Sequence, residues 1–265
     1  MVDGKIQAFP WNEWREEFPR ASALGLTRIE WTIDQDRLRE NPLNTAAGQK
    51  EILELSRRNV LKTASLTGDC FMQAPFWKTD GETQKSLVAD LDLVLASCST
   101  LGIEFVVIPL VDNGRIEIPA QTETLLRVLL DRTASLAKQG VKVVFESDLP
   151  PALLAQFIDK FPREVFGINY DSGNSAALGY DSAEEISAYA PRILNVHVKD
   201  RLLGGTTVPL GTGAANLSKT IRLIEQSGYR GQYVLQTARA TDGDHAGALA
   251  RYRDMTVRWI EDARR

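Results

Sequence analysis

Residues 140–171 read GVKVVFESDLPPALLAQFIDKFPREVFGINYD. A short β-branched run at 142–146 is followed by Leu153, Leu154, Phe157 and Ile158 at three- and four-residue spacing, then by a second apolar run at 165–171. Runs of that length suit buried strands, and the spacing between them suits a helix with one apolar face. The stretch is one strand–helix–strand unit, and each strand closes on a carboxylate, Glu146 and then Asp171. Gly140, at its head, stands where the preceding helix ends and an αβ turn begins.

The same alternation continues outward in both directions. Apolar runs at 6–9, 28–33, 61–66, 105–110, 142–146, 165–171, 193–198 and 233–236 predict eight strands. Helical spacing lies between them, as in Leu87, Leu91, Val94 and Leu95, or Leu249, Tyr252, Met255 and Trp259, and Gly102 and Gly228 close two of these stretches. Eight βα units in 265 residues are the size of an α/β protein built as a single (β/α)8 TIM barrel. A doubly wound sheet would show a glycine-rich turn after its first strand, and residues 9–14 read FPWNEW instead. No linker, fixed repeat or low-complexity tract interrupts the chain, so residues 1–265 are expected to form one domain.

Composition excludes several functions. With 31 Lys+Arg against 35 Asp+Glu the net charge is −4, and no basic block offers a footprint for nucleic acid. The chain opens MVDGKIQAFPW and has no apolar run approaching the roughly 20 residues of a membrane span, so a cytoplasmic location is expected. Cys70 and Cys98 fall in no CxxC spacing, which fits a reducing compartment. The two histidines, His197 and His245, limit any metal site most, because its ligands must be mainly oxygen.

In a barrel the side chains available for chemistry point inward at the C-terminal ends of the strands. Period-two alternation puts Val144 with Glu146, Asn169 with Asp171, Asn195 with His197, and Val234 with Gln236. Glu146, Asp171, His197 and Gln236 would then ring one point and offer two carboxylates, an imidazole and an amide oxygen to a divalent ion. Mn2+ heads the expectation, with Co2+, Mg2+ and Zn2+ as alternatives. Plainer readings stand beside this one. Asp171, before Ser-Gly-Asn, also suits a helix N-cap; His197 also suits a satisfied core position; His245 suits a cap region or the surface.

The wording of these strand ends resembles the sugar phosphate isomerase/epimerase family, the xylose isomerase-like barrels. The matching stretches are DSGN at 171–174 with GYD at 179–181, NVHVKDR at 195–201, PLGTG at 209–213 and GYRGQYVL at 228–235; weaker similarity runs through 25–31 and 65–72. The resemblance implies metal ligands at Glu146, Asp171 and His197, with a fourth on the last strand, where the family usually carries glutamate and this chain has Gln236. Glutamine can offer an oxygen to a metal but has no proton to exchange near neutral pH.

The implied reaction is proton abstraction next to a carbonyl of a sugar or sugar phosphate, through a metal-stabilised enediolate, with Glu146 as base. Lys199 or Asp200 is the candidate second proton donor. Candidate substrate contacts are Glu30, Trp31, Asn174, Asp200 and Arg201; Gly211 and Gly213, before Asn216, a helix N-cap, suit either a tight βα loop that simply needs glycine or an anion site built from their N–H groups. Trp11, Trp31, Phe71, Phe76 and Trp77 suggest an aromatic wall, a lid or a subunit contact, and a homo-oligomer is open. The alternatives are an inosose or keto-acid dehydratase with the same chemistry, or a carbohydrate-binding barrel without activity. An abasic-site endonuclease, which needs a histidine-rich multi-metal centre, does not fit two histidines.

Overall fold

The computed structural model describes residues 8–265. Contacts divide it into two compact units, residues 8–147 with 161–166, and residues 148–160 with 167–265. The first carries α1 (Glu17–Ala23), β1 (Arg28–Thr32), α2 (Ala46–Asn59), β2 (Lys62–Thr67), α3 (Asp69–Gln73), α4 (Gly81–Leu101), β3 (Phe105–Leu110), α5 (Pro119–Leu130), α6 (Thr133–Gln139) and β4 (Lys142–Ser147). Its strands are parallel and lie in chain order, β1-β2-β3-β4. β3 is buried at every position, as a strand covered on both faces must be.

The second unit carries α7 (Pro151–Ile158), β5 (Phe166–Asp171), α8 (Ser172–Leu178), α9 (Ser182–Tyr189), β6 (Ile193–Val198), β7 (Asp200–Arg201), β8 (Thr207–Val208), α10 (Leu217–Gln226), β9 (Gln232–Leu235) and α11 (His245–Arg264). β5, β6 and β9 are parallel neighbours, while β7 and β8 form a short antiparallel hairpin that apolar periodicity gave no sign of. Seven of the eight expected strands are found within a residue of their expected bounds. The expected strand at 6–9 lies partly outside the described residues; Ala8 and Phe9, inside them, are not in a strand.

Local signals explain most boundaries. Gly140 caps α6 at φ 69°, a left-handed conformation that glycine adopts without a Cβ penalty. α10 turns Leu217, Ile221 and Ile224 inward together with Glu225. The Glu225 carboxylate, 1% exposed, takes Arg264 at 2.7 Å, the Tyr233 hydroxyl at 2.8 Å and Arg230 at 3.4 Å. Burial works against its charge, but Arg264, Tyr233 and Arg230 outweigh burial and hold the carboxyl below its ordinary range.

α2 ends differently. Its C-cap is Val60, at φ 54° and 86% exposed, so a β-branched side chain sits in the left-handed region with little packing in return. Val60→Gly is expected to stabilise the protein by about 1 kcal/mol, the order of the Cβ penalty there, read as an upward shift of the urea midpoint at unchanged slope. An unchanged or lowered midpoint would count against this account of the cap. Among the described residues no helix is long and apolar enough to cross a membrane.

Candidate metal centre

β5 ends on Asp171, whose backbone is still extended while Ser172 already begins α8, so its side chain meets two demands. Oδ1 accepts from the backbone N–H of Gly173 at 2.9 Å and of Asn174 at 2.8 Å, which makes Asp171 the N-cap of α8. Oδ2 faces Lys199 Nζ at 3.4 Å and His197 Nδ1 at 3.8 Å. The cap and the candidate ligand are one residue, divided between its two oxygens. Burial pushes the Asp171 carboxyl up, but Lys199, then His197 and the Asn174 N–H, hold it well below the usual carboxylate range.

His197 lies opposite Asp171 on β6 and is fully buried. Asn169 Nδ2 approaches its Nδ1 at 3.1 Å. Two residues on, Lys199 runs across the first turn of α8: a Cβ on Gly173 would fall 2.6 Å from Lys199 Cγ, so only glycine leaves room. The Ser172 hydroxyl accepts from Lys199 N at 3.0 Å and donates to Lys199 O at 2.7 Å, which pins this crossing. The ammonium donates to Gln236 Oε1 at 3.0 Å. Gln236 follows β9 and sits beyond the level of His197, which is paired with Val234; its amide oxygen therefore meets Lys199. Glu146, in the first unit, is buried near the end of β4 opposite Pro109 on β3.

Several expected substrate contacts have other partners. Asp200 is 1% exposed and accepts from the N–H groups of Gly211 at 2.8 Å, Gly213 at 2.9 Å and Ala215 at 3.1 Å. Those donors face a carboxylate of the chain itself, so the loop is no anion cradle, and Asp200 is its internal clamp. A Cβ on Gly213 would lie 2.3 Å from Asp200 Oδ1. Arg201 donates from Nε and Nη2 to Gly205 O and from Nη1 to Asn174 Oδ1, stapling the β7–β8 hairpin to α8 instead of presenting a free guanidinium. Asn216 does precede α10, but its side chain makes no cap bond.

In the first unit Trp31 is 4% exposed, donates from Nε1 to Asn41 and packs against Phe9 and Trp14. Alternation places it opposite in direction to Glu30, which accepts from Thr67 Oγ1 at 2.6 Å. Phe71, Phe76 and Trp77 are buried, and Trp77 donates to Gly114 O, so these rings are core and form no exposed wall or lid. Trp11 is covered by the Arg37 guanidinium at 3.8 Å. His245 is exposed at the start of α11.

One feature of the second unit was not foreseen. Directly below Asp171 and His197, Asn169, Asn195 and Gln232 pair across β5, β6 and β9 as a buried layer of three amides. Its trace in the sequence is the amide two residues before each strand-end group, Asn169 before Asp171 and Asn195 before His197.

Comparison with known proteins places this arrangement. The IOLI protein, solved with a bound zinc atom, superposes with a TM-score of 0.76 at 18% identity, over 95% of this chain and 93% of that one. A xylose isomerase-like TIM barrel protein of Mycobacterium smegmatis in complex with magnesium gives 0.72 at 17% identity, over 98% and 92%. The fold is therefore the parallel α/β TIM barrel expected from the strand and helix alternation. The L-ribulose-5-phosphate 3-epimerase UlaE of Escherichia coli K12 is 23% identical, over 96% of this chain and 92% of its own. The chain belongs to the xylose isomerase-like TIM barrel family, whose model matches residues 18–259.

Proposed function

We propose that the protein is a divalent-metal-dependent isomerase or epimerase of a sugar or sugar phosphate, with Glu146, Asp171 and His197 as metal ligands. The observation that carries this reading is that these three, all buried, are the group of metal-ligating side chains among the described residues that could hold an ion. Two carboxylates and one imidazole balance a divalent charge and suit Mn2+, Mg2+ or Zn2+. Family membership supports the reading, as do the zinc and magnesium in the similar structures and the ketose phosphate named for UlaE. One family model running through both compact units supports a single domain.

Bound there, the ion would polarise a substrate carbonyl and ease loss of a proton from the adjacent carbon. Glu146 takes that proton. Lys199, held between Asp171 and Gln236, presents an ammonium that can orient a substrate hydroxyl or give a proton to the substrate oxygen that becomes negative as the carbon-bound proton leaves. Gln236 cannot exchange a proton near neutral pH, so the proposed chemistry uses one carboxylate base, which suits transfer between neighbouring carbons more than symmetrical two-base inversion.

The test is incubation with Mn2+ in D2O against ketoses, ketose phosphates and inososes, read by NMR and mass. Deuterium in an isomeric product supports the proposal. Loss of water would assign a dehydratase, and absence of both exchange and bound metal would leave a carbohydrate-binding barrel. Gln236→Glu is expected to raise exchange at C3 of a ketose severalfold by supplying a second carboxylate; unchanged exchange would place the second proton group elsewhere.

A further inference from the structure

Between α8, α9 and the start of α10, wholly within the second unit, lies a cavity of about 190 Å3. At about 30 Å3 for each molecule of liquid water, that is room for about six waters or for one small solute. None of Glu146, Asp171 and His197 lines it. Its wall carries six hydroxyl-bearing residues, Tyr170, Ser172, Ser175, Tyr180, Ser182 and Thr220. A hydroxyl gives one proton and accepts at its oxygen, so the group that takes the proton decides what is left for a ligand.

Glu185, 2% exposed, decides it for two of the six. Ser175 Oγ donates to Glu185 Oε1 at 2.7 Å and the Tyr170 hydroxyl donates to Oε2 at 2.9 Å; Tyr189 adds a third O–H at 2.8 Å. A carboxylate only accepts, so these protons point away from any solute and the oxygens keep lone pairs. Elsewhere on the wall Thr220 Oγ1 donates to Ala215 O at 2.9 Å, Ser172 Oγ to Lys199 O at 2.7 Å and Tyr180 to Asp148 O at 2.8 Å. Ser182 is the exception: its hydroxyl has no partner among the described residues. The Asn216 side chain makes no cap bond, and Lys219 Nζ reaches Asp181 Oδ2 at 3.1 Å with N–H groups to spare.

A solute in this cavity therefore meets acceptors first, a few donors, and one ion pair, since the two charged wall residues, Asp181 and Lys219, face each other. An apolar solute would leave the lone pairs unmet, an anion brings no protons to them, and a cation would be repelled by Lys219. We propose that the cavity is a binding site for a small neutral polyol, whose several hydroxyls both give and accept. The proposal does not depend on a metal centre.

Alanine methyls report on the site directly, because Ala176, Ala214 and Ala215 all line it. In 13C-methyl-alanine-labelled protein kept in EDTA, glycerol, erythritol and xylitol are titrated separately, with inorganic phosphate and KCl as controls. At least one polyol should give saturable shifts centred on these three methyls, with a dissociation constant on the order of 1 mM for a ligand of so few atoms. Ala214→Phe, which places a ring in the cavity from an exposed wall position, should weaken that binding by at least about 10-fold, the factor that 1.4 kcal/mol represents. Ser182→Ala, which removes the hydroxyl free to donate, should weaken it about 3- to 10-fold, as loss of one neutral hydrogen bond does.

No saturable shift with any polyol in the wild-type protein would overturn the proposal even if both variants failed to fold. So would shifts centred on other methyls, saturation by phosphate or KCl at lower concentration than by any polyol, or an unchanged titration in folded Ala214→Phe protein.

Discussion

Glu146→Gln is expected to lower solvent-deuterium exchange into substrate by about 10²- to 10⁴-fold, the range associated with losing a positioned general base. The substitution keeps length, volume and one possible ligand oxygen, and removes the negative charge together with the capacity to take a proton. Glu146 is 7% exposed, so bulk buffer is poorly placed to substitute for it. The assay should be run at saturating Mn2+, with metal content measured in parallel, so that a weakened ligand is not mistaken for a missing base. Exchange within a few-fold of wild type, with metal bound, would sink the role assigned to Glu146. If Gln236→Glu then restored exchange in the Glu146→Gln background, the two strand ends would be shown to be interchangeable.

Asp200→Ala should have the largest effect on stability. Its carboxylate is the acceptor for three backbone N–H groups of one loop, and hydrogen bonds to a charged acceptor each contribute about 1.5–3 kcal/mol. Allowing for water reaching part of the loop once the carboxylate is gone, the expected loss is about 3–5 kcal/mol in chemical unfolding. Gly213→Ala should be destabilising for the complementary reason, because its Cβ meets Asp200 Oδ1 and Arg201 O inside contact distance. If Asp200→Ala cost under about 1 kcal/mol while exchange fell by orders of magnitude, Asp200 would belong with the catalytic groups after all.

The fold was legible because its signals are local. The run at 142–146, the helical spacing around Leu153 and Phe157 and the run at 165–171 correspond to β4, α7 and β5 almost residue for residue. Asp171 and His197 were legible for a related reason: two-residue alternation assigns their face, and adjacent parallel strands bring them opposite one another. What could not be read was partner choice between distant segments. Nothing near Arg201 says that its fork will meet Gly205 O and Asn174, or that the PLGTG amides will fold back on Asp200. Trp31 illustrates the same limit. Its aromatic character fits a sugar-facing wall and a core equally well, and only the packing of Phe9 and Trp14 decides for the core. Gln236 was assigned to the ring from its place at a strand end, but one further step along the strand carries its oxygen to Lys199.

The division of labour within Asp171 bears on how such chains age. One of its oxygens starts a helix whether or not anything is ever bound at the other, so folding alone penalises its loss. A lineage whose chemistry had lapsed would keep Asp171 for that reason, and Asp200 for its grip on the loop. The presence of these aspartates is therefore weak testimony to activity. Positions 146 and 236, which start no helix, are where a change of occupation would be recorded first, and in this chain position 236 holds an amide.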